Sequence, residues 1–287
     1  MVFDLRDIPE EKQTYEMCFA SVKEDAEQLE FVCERFQTEE LCLEAVKQYG
    51  RALEFVEKQT PEICLAAVKQ NGLALQYVKE QTSEICLAAV KRWGKALQFV
   101  KDQTPEICLA AVQENGCALE LVQEQTPEIC IEAVRQCGDA LQYVKDQTPE
   151  ICLATVKHDG PALEYVQNQT PELCLAAVKE SGWALKYVKD QTPEICLEAV
   201  KQYSWALKYV KDQTPEICLA AVKHNGTALE YVQNQTPELC LAAVKQNGLA
   251  LMYIPEQEQT LSIAIAALKH HPSFKSYLAD KFRTPEV

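Results

Sequence analysis

A threonine returns along this chain at Thr14, Thr38, Thr60, Thr82, Thr104, Thr126, Thr148, Thr170, Thr192, Thr214, Thr236 and Thr260, and nearly the same sequence follows each one. The steps are 24 residues, then nine of 22, then 24, so twelve repeats fill almost all of the 287 residues. A fixed period between about 20 and 50 residues marks a repeat architecture, in which each repeat buries its apolar face on its neighbours. No other feature of the sequence narrows the fold as far.

The repeat beginning at Thr60 reads as two helices. Thr60 is an N-cap, Pro61 takes the first helical position where a missing N–H costs nothing, and Glu62 complements the helix dipole. The spacing predicts a first helix to about Asn71, ended by Gly72 as a left-handed residue, and a shorter second helix over about Leu73 to Lys79. In the first helix Ile63, Cys64, Leu65, Ala67 and Val68 spread over most of the circumference, which leaves Glu62, Ala66 and Lys69 as a narrow outward stripe. The Ala66 position becomes Glu44, Glu132 and Glu198 elsewhere, as an outward site allows. In the second helix Ala74, Leu75, Tyr77 and Val78 are expected inside, with Leu73, Gln76, Lys79 and Glu80 outside.

A helix apolar on nearly every side needs a partner on each flank, and stacking supplies it. The expected fold class is all-α, an α-solenoid of about twelve 22-residue helix-turn-helix repeats in a single elongated superhelical array. Residues 1–37 read as an N-terminal capping repeat, 38–259 as ten central repeats, and 260–287 as a C-terminal capping repeat and tail. The first repeat has Ala26 in the glycine position, and the last replaces Cys by Ala264 and Gly by Pro272. Long lipid-surface helices can share the period, but a glycine in mid-repeat and an all-round apolar first helix do not suit them.

The string from Leu65 to Val78, Leu-Ala-Ala-Val-Lys-Gln-Asn-Gly-Leu-Ala-Leu-Gln-Tyr-Val, resembles the short repeats of the family catalogued as domain of unknown function 4116. Those repeats occur in many copies in proteins of amoeba-associated bacteria and giant viruses. The resemblance covers nearly all of the chain, although the Thr-Pro-Glu-Ile-Cys opening is more uniform here than the family pattern. It implies an interaction array and carries no activity, cofactor or site residue.

A net charge of −15 and a pI near 4.8 oppose sequence-independent binding to nucleic acid or anionic lipid, so neither is an expected partner. No apolar run approaches the ~20 residues of a membrane span, and the first residues lack the pattern of a signal peptide. Eleven of the fourteen cysteines, from Cys18 to Cys240, hold one position of the repeat. Stacked helices lie ~8–10 Å apart while a disulfide needs Cα atoms within about 4.4–6.8 Å, so equivalent cysteines should stay unpaired and buried. A reducing cytosol or nucleus is the expected compartment. Cys33, Cys117 and Cys137 fall outside that position, the last two at the turns of successive repeats.

Metal-ligand spacing is missing: His158 and His224 lie three repeats apart, and the adjacent His270 and His271 cannot face one another on a helix. The expectation is a protein without metal, cofactor or catalytic site. An unrecognised thiol enzyme at Cys117 or Cys137 is the alternative to test, although an acidic chain opposes thiolate formation.

Variation concentrates in two positions of the repeat. Eleven residues after the threonine stand Tyr49, Asn71, Trp93, Asn115, Cys137, Asp159, Ser181, Tyr203, Asn225 and Asn247. Thirteen after it stand Arg51, Leu73, Lys95, Cys117, Asp139, Pro161, Trp183, Trp205, Thr227 and Leu249. We term these the link slot and the edge slot. Trp183 and Trp205 occupy equivalent edge slots, with Lys186 and Lys208 three residues on, and this spacing predicts two parallel Trp–Lys pairs extended by Lys189 and Lys211. With Trp93 and Tyr203 they form the candidate partner-binding residues, since tryptophan is enriched in binding hot spots. The glutamate–alanine–lysine stripe is a second candidate surface. Residues 148–182 and 214–248 are nearly identical, a sign that whole blocks have been copied. The leading expectation is a non-enzymatic scaffold or adaptor that binds a protein or peptide through its variable edge. The other is a structural protein that associates with itself into a homo-oligomer, particle or filament.

Overall fold

Each threonine does cap a helix. In the computed structural model, which describes residues 4–270 and 272–282, Thr60 Oγ1 accepts the Ile63 N–H at 3.3 Å and the same bond recurs at every repeat. Twelve α-helices of ten residues follow these caps among the described residues, from Tyr15–Glu24 to Leu261–His270. No strand occurs among the described residues. The protein is an all-α repeat solenoid. Its contacts group it into two compact units, Met1–Asp146 and Gln147–Val287, with six threonine repeats in each.

The second element of the repeat is a 3-10 helix of six residues, Gly72–Tyr77 in the Thr60 repeat, where an α-helix was expected. Its N–H groups reach back three residues, as in Ala74 N–H to Asn71 O at 2.9 Å and Val78 N–H to Leu75 O at 3.1 Å. Three residues per turn align Gly72, Leu75 and Val78 inside and Leu73, Gln76 and Lys79 outside. That leaves Tyr77 between the faces, half-buried rather than inward. In the first helix Ile63, Cys64, Ala67 and Val68 are buried, while Leu65 is half-exposed and joins Ala66 on the outer stripe.

Gly72 is not left-handed. No glycine among the described residues has a positive φ. The turn is made by one extended residue, Asn71, at φ −142° and ψ 110°, after which the 3-10 helix begins at once. Glycine is needed there for a different reason. A Cβ on Gly72 would lie 2.5 Å from the carbonyl oxygen of Ala89, and one on Gly182 would lie 2.6 Å from that of Ala199. The next repeat's α-helix leaves almost no room for a side chain at these glycines, although in the Thr192 repeat Ser204 fills the equivalent place and is buried there. Helix Pro61–Gln70 accordingly packs on Glu39–Gln48 and Ser83–Arg92 at its flanks and on Gly50–Phe55 and Gly72–Tyr77 behind.

The glutamine before each threonine closes the repeat. Gln59 Nε2 donates to Tyr77 O at 2.9 Å, and its Oε1 accepts the Lys79 N–H at 2.9 Å, so one side chain supplies both groups of a bend with no ladder of its own. The cysteine is part of this arrangement: Cys64 Sγ lies 3.6 Å from the same Oε1 as a weak donor. The donor bond is made by all twelve glutamines from Gln13 to Gln259. Gln235 alone lacks the N–H partner, because Pro255 stands in that place. The two repeats of 24 residues turn their extra length into an additional 3-10 turn, Glu34–Phe36 and Glu256–Glu258.

Candidate partner-binding edge

The close approach at the glycine brings the variable slots together. The edge slot is the second residue of the 3-10 helix, and the link slot is the extended residue before it. With consecutive repeats almost in backbone contact at this corner, the edge residue of one repeat lies against the link residue of the next. It also reaches the tyrosine slot, seventeen residues after the next threonine. Arg51 shows the second contact, its Nη2 donating to the Tyr77 hydroxyl at 3.1 Å.

In the second compact unit this register builds an aromatic run. Trp183 stacks on Tyr203 with ring centres 5.0 Å apart and planes at 27°, and it meets Tyr209 at 5.6 Å. Tyr203 in turn meets Trp205 at 6.0 Å. The tryptophans stay 45% and 43% exposed, while Tyr203 and Tyr209 are half-buried beneath them. Such ring pairs add about 0.5–1.5 kcal/mol beyond the area they bury, which holds the tryptophans in place while leaving one face open.

The Trp–Lys pairs predicted from spacing do not form. Lys186 Nζ lies 4.9 Å from the ring of Tyr187, and Lys208 Nζ lies 6.0 Å from that of Tyr209. Trp183 instead turns toward the next repeat, where the rings of Tyr203 and Tyr209 meet it. Lys189 and Lys211 do not extend this face either. Their ammonium groups donate to Gln167 O at 3.1 Å and Lys189 O at 2.7 Å, across the bends of preceding repeats. Trp93, 49% exposed, holds a link slot in the first compact unit, and no ring contact is seen for it among the described residues. The structure therefore brings together Trp183, Tyr203 and Trp205, flanked by Lys186 and Lys208, and leaves Trp93 apart. Tyr209 joins them: an α-helix would turn this position inward, and the 3-10 helix Ser204–Tyr209 leaves it half-buried at the edge.

On the other side of the repeat, the outer stripe forms shallow clefts between adjacent α-helices. Leu65, Lys69, Glu84, Leu87, Ala88 and Lys91 line one of them. Glu198 at the stripe is half-exposed and accepts from Gln202 Nε2 at 3.4 Å, as an outward position permits. Among the described residues no group of three or more His, Cys, Asp and Glu side chains could hold a metal ion.

The cysteines are free among the described residues, and the eleven regular ones are buried. Burial pushes every one of these thiols up, Cys42 and Cys240 to about 11. Cys33 is half-buried, with its N–H given to Gln13 Oε1 at 3.0 Å. Cys117 and Cys137 are also half-buried, and their sulfurs lie 3.8 Å apart. Spacing alone placed them at successive turns and gave no sign that they meet.

The sequence model of the family described as Domain of unknown function (DUF4116) matches residues 14–60, 38–83, 60–104, 82–125, 104–148, 170–214, 192–236 and 214–283. The chain belongs to the DUF4116 family. Seven of these DUF4116 matches run over about two threonine repeats, and the eighth over three. No curated protein matches the chain. Among the described residues no helix is long and apolar enough to cross a membrane.

Proposed function

We propose that this DUF4116 protein is a non-enzymatic scaffold that binds a peptide segment of another protein along its variable edge. The observation that carries the reading is the aromatic run Trp183–Tyr203–Trp205, two half-exposed tryptophans braced from below and flanked by lysines on a chain of net charge −15. Braced aromatic faces lose little conformational freedom on binding, which is why tryptophan and tyrosine dominate hot spots. Lys186 and Lys208 beside them favour a segment carrying both apolar and acidic side chains. Nucleic acid is disfavoured by the same net charge.

The test is to pan a random peptide library against the folded protein and against a Trp183→Ala/Trp205→Ala variant. Enrichment of peptides joining Asp or Glu to apolar residues, lost in the variant, supports the reading. Equal enrichment on both proteins, or none on either, defeats it.

Self-association is the second reading, and a separate observation favours it. The last two repeats expose Leu249, Met252, Leu261 and Ile265, where most earlier repeats carry smaller or polar residues at the Met252 and Leu261 positions. Sedimentation over a wide concentration range tests it. A size that rises with concentration and falls in Met252→Gln/Leu261→Glu supports this reading, and a constant monomer removes it.

A further inference from the structure

We propose that Cys117 and Cys137 form a reversible dithiol–disulfide site that joins the Thr104 and Thr126 repeats covalently across their shared edge. Cysteine occupies the edge slot once and the link slot once in the ten central repeats, and the register places those two against each other. Any other pairing of repeats would have kept them apart. The contact is the one that Trp183 makes with Tyr203, so it follows from the corner geometry and is not a local irregularity.

The geometry suits a cross-link. Cys117 Sγ lies 3.8 Å from Cys137 Sγ, and the adjoining Gly116 is close enough that a Cβ built on it would fall 3.1 Å from Cys137 Cβ. Closing to the ~2.05 Å of an S–S bond asks for side-chain rotation and a small approach of the two corners. Both cysteines are only half-buried, whereas the eleven regular cysteines are buried one to a repeat. A metal is the other use of paired thiols, and it is disfavoured because no third protein donor completes the site among the described residues.

The co-reactant is a low-molecular-weight disulfide such as oxidised glutathione. One protein thiolate attacks it, an S–S bond forms to the protein, and one glutathione leaves as thiolate. The second protein thiolate then attacks that mixed disulfide, the Cys117–Cys137 bond forms, and the second glutathione leaves. The two protein thiols are oxidised by two electrons, the small disulfide is reduced, and their two protons end on the released thiols. Asp139, Lys95 and Tyr143 lie near the pair, and Glu120 lies near Tyr143. Burial, the contact with Cys137 and the Asp139 charge push the Cys117 thiol up, with Lys95 opposing. Exchange should therefore be slow at neutral pH and accelerate as pH rises.

The experiment exposes the folded full chain to oxidised glutathione, blocks remaining thiols by alkylation in denaturant, and maps tryptic peptides without reduction. Trypsin separates residues 102–135, which hold Cys108, Cys117 and Cys130, from 136–145, which hold Cys137. The expected result is a monomer in which these two peptides are joined with the loss of two hydrogens and separate again on reduction. In Cys117→Ser and Cys137→Ser the joined peptide disappears, and the remaining thiol carries glutathione. The proposal is overturned if the wild type carries separate glutathione adducts or alkylated thiols at both positions. It is also overturned if the join survives in Cys117→Ser through Cys108 or Cys130, or if it links two chains.

Discussion

Replacing Gln213 by leucine removes a closing glutamine's polar atoms and puts an apolar side chain of roughly similar size in their place. The side chain donates to Tyr231 O at 2.8 Å and Leu207 O at 3.2 Å, and it accepts the Gln233 N–H at 3.0 Å. A hydrogen bond contributes about 0.5–1.5 kcal/mol net, and a buried group left without a partner costs more. The Gln233 end is exposed and water can reach it, so the expected loss for Gln213→Leu is about 2 kcal/mol rather than the full sum of three bonds. Urea unfolding followed by circular dichroism should show a lower midpoint with an unchanged slope. Hydrogen exchange should locate the loosening at residues 231–233, since a repeat array answers locally. Gln213→Glu adds a second reading. It keeps the acceptor for Gln233 but sets a carboxylate against the Tyr231 carbonyl, which raises its folded pKa above the ordinary ~4.3. The penalty is then present at neutral pH and fades as the pH falls through that raised value, where the protonated acid can donate. A Gln213→Leu protein within ~0.5 kcal/mol of the wild type, with unchanged exchange at 231–233, would falsify the closing role.

Gly182→Ala should lower stability by about 1–3 kcal/mol although alanine is the better helix former, because the new Cβ meets the Ala199 carbonyl at 2.6 Å and Tyr203 Cβ at 2.8 Å. A neutral or stabilising result in thermal unfolding refutes the steric reading. Trp183→Ala should cost about 1 kcal/mol through its lost ring contacts, and Trp93→Ala clearly less, as compared by denaturant midpoints. Cys42 and Cys240 have thiols raised in the fold from the ordinary 9.0 to about 11. Their contribution is fully present below pH 9 and is lost as the pH rises toward 11, so the unfolding midpoint should fall over that window, and less so in Cys42→Ala/Cys240→Ala.

The period, the caps and the buried set Ile63, Cys64, Ala67, Val68, Ala74, Leu75 and Val78 are all legible in the sequence, because burial and capping act on local pattern. The nature of the second helix is not. Six residues between Asn71 and Val78 fit either an α or a 3-10 turn by composition, and only the tight corner selects three residues per turn. The glycine was legible as an obligation but not as a cause, since a left-handed turn and a close carbonyl both demand it. The glutamine's role needed its distant partner, eighteen residues away at Tyr77. At the candidate edge, the slots Trp183, Trp205 and Tyr203 stand out by their variation alone. Their contacts do not, because which slot faces which is set by the offset between repeats. The same offset hid the meeting of Cys117 with Cys137.

Because Gln59 stands just before Thr60 and ties the bend at the far end of the Thr60 repeat, a block copied together with its leading glutamine carries that bonding with it, and the interior survives duplication of a single copy. The edge does not share that independence. Trp183 and Tyr203 belong to different copies, as do Cys117 and Cys137, so a surface feature is inherited intact only when two consecutive copies travel together. In such a gene, shuffling by ones preserves the fold while rewriting the neighbour relations on the rim at each join, and shuffling by twos preserves a motif. Recombination alone can thus generate new edge surfaces here, without a single substitution in the core.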